Sequence, residues 1–220
     1  MFSPIEKTIA KLNERQQEAV RIIEGPLLVV AGAGSGKTRM LTVRIAHLIE
    51  NCQVDPAAIL AVTFTNKAAK EMRERVRDLV AGAERVTLTT FHSFCCLLLR
   101  RWHKYAGFAD GFTIYDESDS EKLMKNVLKE HKIDTKRMTP RSVLELISSA
   151  KNELIGPEEY PDFAGPSTNT QNIHKIYAAY QNQLMQNQAV DFDDLIFKAY
   201  YLLRNNPDLL QKLQNQYRYF

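Results

Sequence analysis

The chain has 220 residues, of which 45% are hydrophobic and 25% are charged, as is usual for a globular protein of one or two domains with a sizeable core. Its formal net charge of +3 is too small to indicate a nucleic-acid partner by itself. Three cysteines, two of them adjacent, exclude a disulfide framework and a metal-ligand spacing. We find no signal-peptide pattern and no apolar run long enough to span a bilayer, so we expect a soluble, cytoplasmic protein with no membrane partner.

The first third of the chain alternates strand-like and helix-like segments. Residues 27–31 and 59–64 are short apolar runs, typical of strands buried on both faces, and residues 86–90 predict a third strand. Two amphipathic helices are predicted between the strands, with Glu71 and Arg75 paired at i,i+4 on the exposed side of the second. This alternation predicts parallel strands with right-handed crossovers. The apolar positions of the two helices are Leu41, Ile45, Leu48 and Ile49, then Ala68, Ala69, Met72, Val76, Leu79 and Val80.

The middle of the chain, residues 94–201, has almost only helical periodicity. Residues 156–170 are rich in Gly, Pro and Ser and predict a long loop. We therefore expect a helical block that follows, or is inserted into, the α/β domain. Its three apolar stripes are Val143, Leu144, Ile147 and Ala150; Ile173, Ile176, Tyr177, Tyr180 and Leu184; and Phe192, Leu195, Ile196, Ala199 and Leu203.

Residues 31–39 read AGAGSGKTR and follow the first predicted strand. Glycines at 32, 34 and 36 let backbone N–H groups turn inward around phosphate oxygens, in conformations that are costly for residues with a Cβ. The helix that follows presents the positive end of its dipole to the same anion. We expect Lys37 to reach the β- and γ-phosphates of a nucleotide and the Thr38 hydroxyl to ligate Mg²⁺. The alternative, a glycine turn that only links strand to helix, is disfavoured by the elements on either side.

The chain resembles the N-terminal part of UvrD/Rep/PcrA-type superfamily 1 DNA helicases, and most closely the PcrA type. Ala31 stands where most phosphate loops begin with glycine, and alanine at this position is a form found in this helicase group. Ordered matches cover nearly the whole chain. The motifs that carry the resemblance are LNERQQEAV (12–20), AGAGSGKTR (31–39), VTFTNKAAKEM (62–72), TTFHS (89–93), SAKNEL (149–154) and VDFDDL (190–195).

The resemblance implies an α/β fold, a P-loop (RecA-like) parallel sheet with an inserted all-helical subdomain, and ATP with Mg²⁺ as the bound nucleotide and metal. Gln16 would read the adenine edge through its amide donor and acceptor; without the resemblance it would be a surface glutamine at a helix start. Arg39 would lie against the nucleotide, with a solvated helix charge as the alternative. The residues expected to bind ATP are Gln16, Ala33, Gly34, Ser35, Gly36, Lys37, Thr38 and Arg39, with Lys37 and Thr38 also assigned to catalysis and the Thr38 hydroxyl to Mg²⁺.

The resemblance also implies that single-stranded DNA and junctions of single- and double-stranded DNA are partners. Phe64, Thr65 and Asn66 would meet the DNA at the end of the second strand, where stacking one base contributes about 1–3 kcal/mol. Phe64 fits equally well as the last core residue of that strand. His92 follows the third strand, close to the carboxyl ends of parallel strands where ligands usually bind. Its assignment as a DNA contact rests mainly on the resemblance.

Basic side chains form two clusters. Glutamates interleave with the cluster at 67–77, so a solvated helix face is the favoured interpretation there. Arg100, Arg101 and Lys104 stand beside two aromatic residues with no acidic residue nearby. They are the better candidates for phosphate contacts.

Hydrolysis by a P-loop motor also needs two carboxylates at the end of a buried strand, one for Mg²⁺ and one for the attacking water. We find no apolar run that ends in Asp-Glu. Because residues 186–189 do not read as a strand, we interpret Asp191, Asp193 and Asp194 as a helix cap and a helix face. The last residues, QYRYF (216–220), read as the start of a strand, and the family's acidic motif would follow it.

The sequence thus predicts residues 1–91 as the first part of a motor domain, 92–198 as the helical insertion and 199–220 as the return to the motor domain. The resemblance implies that the chain is the ATP- and single-stranded-DNA-binding part of a 3′–5′ DNA helicase in repair or replication. The 220 residues alone are expected to bind nucleotide weakly and not to hydrolyse it efficiently. One alternative is a subunit of a helicase–nuclease complex. The other is a non-enzymatic regulatory module that binds nucleotide or single-stranded DNA, which predicts that the natural gene ends near Phe220.

Overall fold

The computed structural model describes residues 3–133 and 138–220. The chain divides into two compact units: Met1–Phe91 with Asp208–Phe220, and His92–Pro207. Short 3₁₀ turns lie at Pro56–Ala58 and Ala83–Arg85. The helices and strands are α1 (Pro4–Ile9), α2 (Glu14–Arg21), α3 (Lys37–Glu50), β1 (Leu60–Thr63), α4 (Asn66–Leu79), β2 (Thr87–Thr90), α5 (Phe91–Arg101), β3 (Thr113–Ile114), α6 (Glu117–Glu130), α7 (Pro140–Asn152), α8 (Tyr160–Ala164), α9 (Thr168–Gln186), β4 (Ala189–Val190), α10 (Phe192–Asn205) and α11 (Pro207–Gln216).

The first unit contains the parallel strand pair that the sequence predicts. β1 and β2 run in register from Leu60 opposite Thr87 to Thr63 opposite Thr90. The chain between them forms α4, so this is a β–α–β unit with a helical crossover. The second and third predicted strands, their parallel pairing and the helix between them are confirmed. Both strands therefore end at the same edge of the pair.

Helices α3 and α4 pack together and α4 also contacts both strands. The Thr65 hydroxyl caps α4 by accepting a hydrogen bond from the Ala68 N–H at 3.1 Å. The predicted apolar stripe of α4 faces inward, and the predicted pair of Glu71 and Arg75 is present on its exposed side at 3.9 Å. The residues that form the core of this unit include Ile5, Ile9, Val20, Val43, Ile45, Leu48, Ile59, Ala61, Ala69, Met72, Val76 and Leu88.

The first predicted strand, residues 27–31, does not form. These residues have no assigned secondary structure, and the side chains of Leu28 and Val30 are 86% and 87% exposed. A strand buried on both faces needs a hydrogen-bonded neighbour and covering layers. Among the described residues no strand pairs with this segment. The prediction of a buried strand at 27–31 is wrong because pairing depends on a neighbouring strand, which periodicity does not reveal.

The end of the chain packs beside the start of β1 through several backbone hydrogen bonds, in which the Arg218 and Tyr219 N–H groups donate to the Ala58 carbonyl at 3.0 Å and 3.1 Å. Ile59 and Tyr219 form an isolated parallel bridge, and the Leu60 N–H donates a hydrogen bond to the Tyr219 carbonyl at 2.8 Å. This parallel bridge agrees with the prediction that residues 216–220 begin a strand. A cavity of about 520 Å³ lies beside it. Its lining includes Leu41, Ile45, Leu48, Ile59, Ala61 and Phe220.

The second unit is mainly helical, as predicted, but it is not entirely helical. β3 and β4 pair in parallel, with Thr113 opposite Ala189 and Ile114 opposite Val190. The prediction that no strand precedes Asp191 is wrong because both residues of β4 are fully buried in the unit. A strand of two residues is too short to give a period-2 pattern. The core of this unit includes Met124, Val127, Leu128, Val143, Ile147, Ile173, Ile176, Tyr177, Tyr180 and Leu184.

Two further predictions in this unit need correction. The predicted loop at 156–170 contains α8 and the first turn of α9, which Ser167 caps through the Thr170 N–H at 3.0 Å. The stripe predicted for α10 is partly out of phase, since Phe192 and Ile196 are exposed while Phe197 and Leu202 are buried. The stripes predicted for α7 and α9 are confirmed.

The proposed return of the chain at residue 199 stays a prediction. α10 continues without a break across that position, and the second unit extends to Pro207. None of the described helices combines the length and apolar character needed to cross a membrane.

Candidate functional site

The glycine loop, residues 31–36, leads directly into α3. Gly34 and Gly36 have positive φ angles of 73° and 81°, in the left-handed region that favours glycine. Gly36 is also the N-cap of α3, and no side chain caps this helix end. A Cβ placed on Gly34 would meet no atom within 4 Å. The loop therefore presents open space and backbone N–H groups at the positive end of a helix dipole, which suits an anion.

Lys37, the first residue of α3, folds its side chain back across the glycine loop. Its ammonium donates hydrogen bonds to the Ala31 carbonyl at 2.8 Å and to the Gly32 carbonyl at 2.6 Å. The Ser35 hydroxyl donates to the same Gly32 carbonyl at 2.7 Å. These bonds hold the Lys37 ammonium against the first two residues of the glycine loop. A positive charge and N–H groups in this arrangement suit an anionic ligand.

Gln16 connects α2 to the glycine loop. Its amide nitrogen donates to the Ser35 carbonyl at 2.8 Å. Its amide oxygen accepts from the Asn13 N–H at 3.2 Å, and Asn13 in turn caps the Gln16 N–H at 2.9 Å. This reciprocal capping box fixes the start of α2. Gln16 is therefore more than a surface glutamine at a helix start, because its side chain spans two elements.

The remaining predicted nucleotide ligands are exposed. Thr38 and Arg39 occupy the first turn of α3, and both face solvent. Arg44, one turn further along, bonds instead to the carbonyls of Ala19 and Ile22, which anchors α3 to α2. Burial lowers the pKa of Arg44. Arg44 is thus occupied in packing, while Thr38 and Arg39 are accessible to a ligand.

A cavity of about 380 Å³ lies beside Lys37 and Thr38. The other residues around it are mostly apolar, among them Leu27, Met40, Met72 and Phe220. Apolar side chains offer nothing to a polyphosphate. The cavity therefore has a polar edge at Lys37 and Thr38, and most of its remaining lining is apolar.

Phe64 and Phe91 form an exposed aromatic pair at the ends of β1 and β2. Each follows the last paired residue of its strand, Thr63 and Thr90. Their ring centroids are 5.9 Å apart with the planes tilted by 45°. The side chain of Phe64 is 90% exposed, so the alternative that it is a core residue is wrong. Thr65 and Asn66 follow as the N-cap and first residue of α4.

His92 stacks on Phe192 in the second unit. The ring centroids are 4.1 Å apart and the planes differ by 21°. Burial lowers the pKa of His92, and the neighbouring charge of Asp193 opposes this shift only in part. The neutral imidazole is therefore favoured at neutral pH. A flat, uncharged stacked pair is a surface suited to another aromatic ring.

Phe91 and Phe192 are the candidate site residues that sequence reasoning missed. Both are members of motifs, TTFHS and VDFDDL. Helical periodicity predicts Phe192 as part of an apolar stripe, and in TTFHS only His92 is predicted to contact DNA. A large aromatic residue at a strand end or helix start reads as core unless its exposure is known. Only the fold shows that both rings face solvent.

The two basic clusters differ in structure. In the cluster at 67–77, Arg73 does not fit the interpretation as a solvated helix face. Its guanidinium donates a hydrogen bond to the Leu88 carbonyl at 2.6 Å. Arg100 and Arg101 lie over the rings of Phe112 and Trp102, with the guanidinium carbon 5.4 Å and 5.2 Å from the ring centroids. Both arginines are exposed. Their contact with phosphates stays a prediction.

Asp191 is the N-cap of α10, as predicted. Asp194 is not on an exposed helix face; it is fully buried beside Lys151. Among residues 3–133 and 138–220, no group of three or more His, Cys, Asp or Glu side chains has an arrangement that could hold a metal ion. The contacts of these aspartates are ion pairs and caps.

Comparison with known proteins identifies the family of the chain. The family model described as UvrD/REP helicase N-terminal domain matches residues 12–220. The chain therefore belongs to this family. The resemblance inferred from the motifs is confirmed.

Three relatives, each named ATP-dependent DNA helicase PcrA, show how similar the chain is to members of the family. It is 47% identical to the protein of Bacillus subtilis (strain 168) over 212 residues. It is 45% identical to that of Leuconostoc citreum over 210 residues and 46% identical to that of Staphylococcus aureus (strain Mu50 / ATCC 700699) over 209 residues. These alignments cover 94–96% of the chain but only 28–29% of each relative. The chain thus spans less than a third of the length of these relatives.

Proposed function

We propose that the chain is the ATP- and single-stranded-DNA-binding N-terminal part of an ATP-dependent 3′–5′ DNA helicase. In this proposal its fold is a P-loop, RecA-like parallel sheet, and residues 92–198 are an inserted subdomain. The observation that carries it is the glycine loop with two left-handed glycines at the start of α3, in a chain of the UvrD/REP helicase N-terminal domain family.

The residues of the glycine loop fit a nucleotide triphosphate. The backbone N–H groups of residues 33–36 and the start of α3 would bind phosphate oxygens. Lys37 would exchange its two carbonyl partners for phosphate oxygens, a favourable exchange because a charged pair is stronger than a bond to a neutral carbonyl. Gln16 would bind the adenine edge, and Arg39 would lie along the nucleotide. Hydrolysis of the bound nucleotide supplies the free energy for movement along DNA.

Thr38 is the residue of this chain that would hold Mg²⁺. Its hydroxyl is exposed in the first turn of α3, beside Lys37. An oxygen ligand is what Mg²⁺ prefers, and the ion keeps several waters and phosphate oxygens as its other ligands. Lys37 and Thr38 are therefore the residues of the described chain that would act in catalysis, by neutralising and orienting the phosphates.

The DNA-contacting residues would be Phe64, Thr65, Asn66 and His92. The tilted pair of Phe64 and Phe91 offers ring faces for unpaired bases at the ends of two parallel strands. The amide of Asn66 and the hydroxyl of Thr65 would hydrogen-bond to the sugar–phosphate backbone. Single-stranded DNA and its junctions with duplex DNA are the proposed partners.

The central test uses the full-length protein that carries this chain. With Lys37→Ala we expect loss of DNA-stimulated ATP hydrolysis by two or more orders of magnitude, because the charge that neutralises the phosphates is removed. Lys11→Ala, an exposed lysine of the same unit, is the matched control and should keep the parent rate. Full activity of Lys37→Ala would refute the nucleotide site.

The polarity is tested on partial duplexes with a single-stranded tail at either end. We expect unwinding of the duplex with a 3′ tail and little or none of the duplex with a 5′ tail. The isolated 220 residues should bind a fluorescent ATP analogue weakly and show no useful turnover. Rapid hydrolysis by the isolated chain that Lys37→Ala abolishes would contradict this part of the proposal.

A further inference from the structure

Lys151 in α7 is a fully buried cation with two carboxylate partners. Its ammonium lies 2.6 Å from Asp191 Oδ2 and 3.0 Å from Asp194 Oδ1, and its side chain has no exposed surface. Burial would lower the pKa of Lys151, but attraction to Asp194 and Asp191 outweighs it and the pKa is raised. Lys151 therefore stays charged and bound to the start of α10. The ion pair joins two motifs, SAKNEL and VDFDDL, whose charged residues take no part in the proposed nucleotide and DNA sites.

Asp191 has two separate functions in this arrangement. Its Oδ1 accepts the Asp194 N–H at 2.8 Å and so caps α10. Its Oδ2 accepts from Lys151 at 2.6 Å and from the Tyr180 hydroxyl at 3.1 Å. The Asp194 carboxylate completes the capping box by accepting the Asp191 N–H at 3.3 Å. The first turn of α10 is thus tied to α7 and α9 through both carboxylates, since Asp194 Oδ1 also pairs with Lys151 and accepts from the Gln181 amide at 3.3 Å.

Phe192 is the residue directly after this anchored cap. Its side chain is 57% exposed, so burial in the core does not fix its direction. The backbone of the first turn of α10 fixes this direction. The stacking of Phe192 on His92, with ring centroids 4.1 Å apart, therefore depends on that backbone. Any rotation at the start of α10 would move the Phe192 ring away from the imidazole.

Stability alone does not explain a buried ion cluster. Buried ion pairs can often be replaced by apolar residues of similar volume with no loss of stability, since desolvation offsets the attraction. The ion pair instead fixes the orientation of the first turn of α10. Both oxygens of Asp191 are hydrogen-bonded, so the cap cannot rotate without losing a bond. The orientation of this turn matters because the Phe192 ring must stack on the His92 imidazole.

We propose that Lys151 is a positioning residue for the His92–Phe192 pair, which it orients through Asp191 and the first turn of α10. This rests on the proposed function only in that His92 contacts single-stranded DNA. Lys151 touches neither nucleotide nor DNA in this proposal. Its effect on DNA affinity passes entirely through the stacked pair.

The decisive variant is Asp191→Asn in the full-length protein. Asparagine keeps the N-cap, since its side-chain oxygen still accepts the Asp194 N–H, but it loses the ion pair with Lys151. We expect affinity for an oligo-dT strand, measured by fluorescence anisotropy, to fall about 3- to 10-fold, the size usual for directly coupled residues. In hydrogen exchange followed by mass spectrometry, the amides of residues 192–196 should exchange faster. In a DNA-stimulated ATPase assay, the DNA concentration for half-maximal rate should rise while the maximal rate is unchanged.

The matched control is Asp116→Asn. Asp116 caps α6 through the Asp119 N–H at 2.8 Å, and it is exposed and has no lysine partner among its described contacts. This variant makes the same chemical change at another N-cap of the same unit. It should leave DNA affinity and the exchange of residues 192–196 at parent values.

A double-variant cycle separates positioning from a general structural effect. If Asp191 acts through His92, Asp191→Asn should cost no further affinity in a His92→Ala background. Two results would overturn the positioning role and leave the proposed function intact. One is an equal loss of affinity from Asp191→Asn in both backgrounds. The other is unchanged affinity in Asp191→Asn alone while His92→Ala weakens binding. If His92→Ala itself leaves affinity unchanged, the proposed DNA contact of His92 fails, and the positioning proposal fails with it. Lys151→Met leaves both Asp191 and Asp194 without their cation, so it should lower DNA affinity at least as much as Asp191→Asn does, with a larger loss of stability in thermal unfolding.

Discussion

The side-chain amide of Gln16 donates a hydrogen bond to the Ser35 carbonyl at 2.8 Å, so a residue of α2 holds the glycine loop from outside α3. The same amide closes the capping box of α2 with Asn13. A substitution at Gln16 therefore affects both the cap of α2 and a contact with the loop. This contact makes Gln16 the link between a helix cap and the proposed nucleotide site.

Replacing Gln16 with glutamate should weaken ATP binding while the fold is kept. Glutamate preserves the acceptor of the capping box but removes the donor to Ser35 and to adenine and adds a negative charge near the phosphates. One lost hydrogen bond of about 1 kcal/mol corresponds to about a fivefold weaker Kd, measured with a fluorescent ATP analogue. The control is Gln17→Glu, whose amide bonds to the Leu12 carbonyl away from the loop. Equal affinity in both variants would contradict the assignment of Gln16.

Replacing Gly36 with alanine should abolish nucleotide binding. The φ angle of 81° costs about 1–2 kcal/mol for a residue with a Cβ, and that Cβ would lie 3.2 Å from the Gln16 amide nitrogen. Gly82→Ala is the control, since φ there is 80° but the nearest atom, on Pro56, is at 3.6 Å. Thermal unfolding should show a similar loss of stability for both variants. Retained ATP binding in Gly36→Ala would show that the loop does not need this conformation.

Removing the Phe64 ring should weaken binding to single-stranded DNA without loss of stability. The ring is 90% exposed, so truncation removes little packing, whereas loss of one stacked base costs about 1–3 kcal/mol, or about 5- to 150-fold in Kd. Because stacking releases no counterions, the slope of log K against log salt should be unchanged. Anisotropy titrations at several salt concentrations measure both quantities. An unchanged Kd in Phe64→Ala would exclude this contact, and Phe163→Ala, an exposed ring of the second unit, should behave as the parent does.

Stability should fall as the pH is lowered through the ordinary range of histidine, in part because of His47. Burial lowers the pKa of His47 below 6.5, and the attraction of Glu6 opposes this only partly. Below about pH 6.5 the unfolded chain therefore takes up a proton that the folded protein does not, so the free energy of unfolding decreases. Urea unfolding at pH 7.5 and 5.5 should show a smaller difference for His47→Gln than for the parent. Thr42→Val, at a buried residue of the same helix that carries no titratable group, should keep the parent difference; an equal effect of both variants would refute the role of His47.

Local patterns predicted much of the fold correctly. The stripes of α4, α7 and α9 were read from periodicity because a helix that packs on a core must repeat apolar residues every three or four positions. β1, β2 and their parallel pairing followed from the alternation of strands and helices. The glycine loop was identified because few residue types tolerate the backbone that Gly34 and Gly36 adopt.

Exposure and pairing were not predictable in the same way. Residues 27–31 have the composition of a buried strand but no partner strand among the described residues, and Phe64 has the composition of a core residue but lies in solvent. In both cases the outcome depends on residues distant in the chain. A hydrophobic pattern indicates which residues favour burial. It does not indicate whether other parts of the chain pack over them.

The amino-acid sequence alone determined the family, the glycine loop and the order of most helices and strands, because these depend on residue types at short, regular spacing. Only the tertiary structure showed the Phe64–Phe91 pair, the contact of Gln16 with Ser35, and the burial of Lys151 between Asp191 and Asp194. These contacts join residues that are far apart in the chain, with a separation of 19 between Gln16 and Ser35 and of 40 between Lys151 and Asp191. Such contacts arise when packing brings distant segments together, and no local preference encodes them.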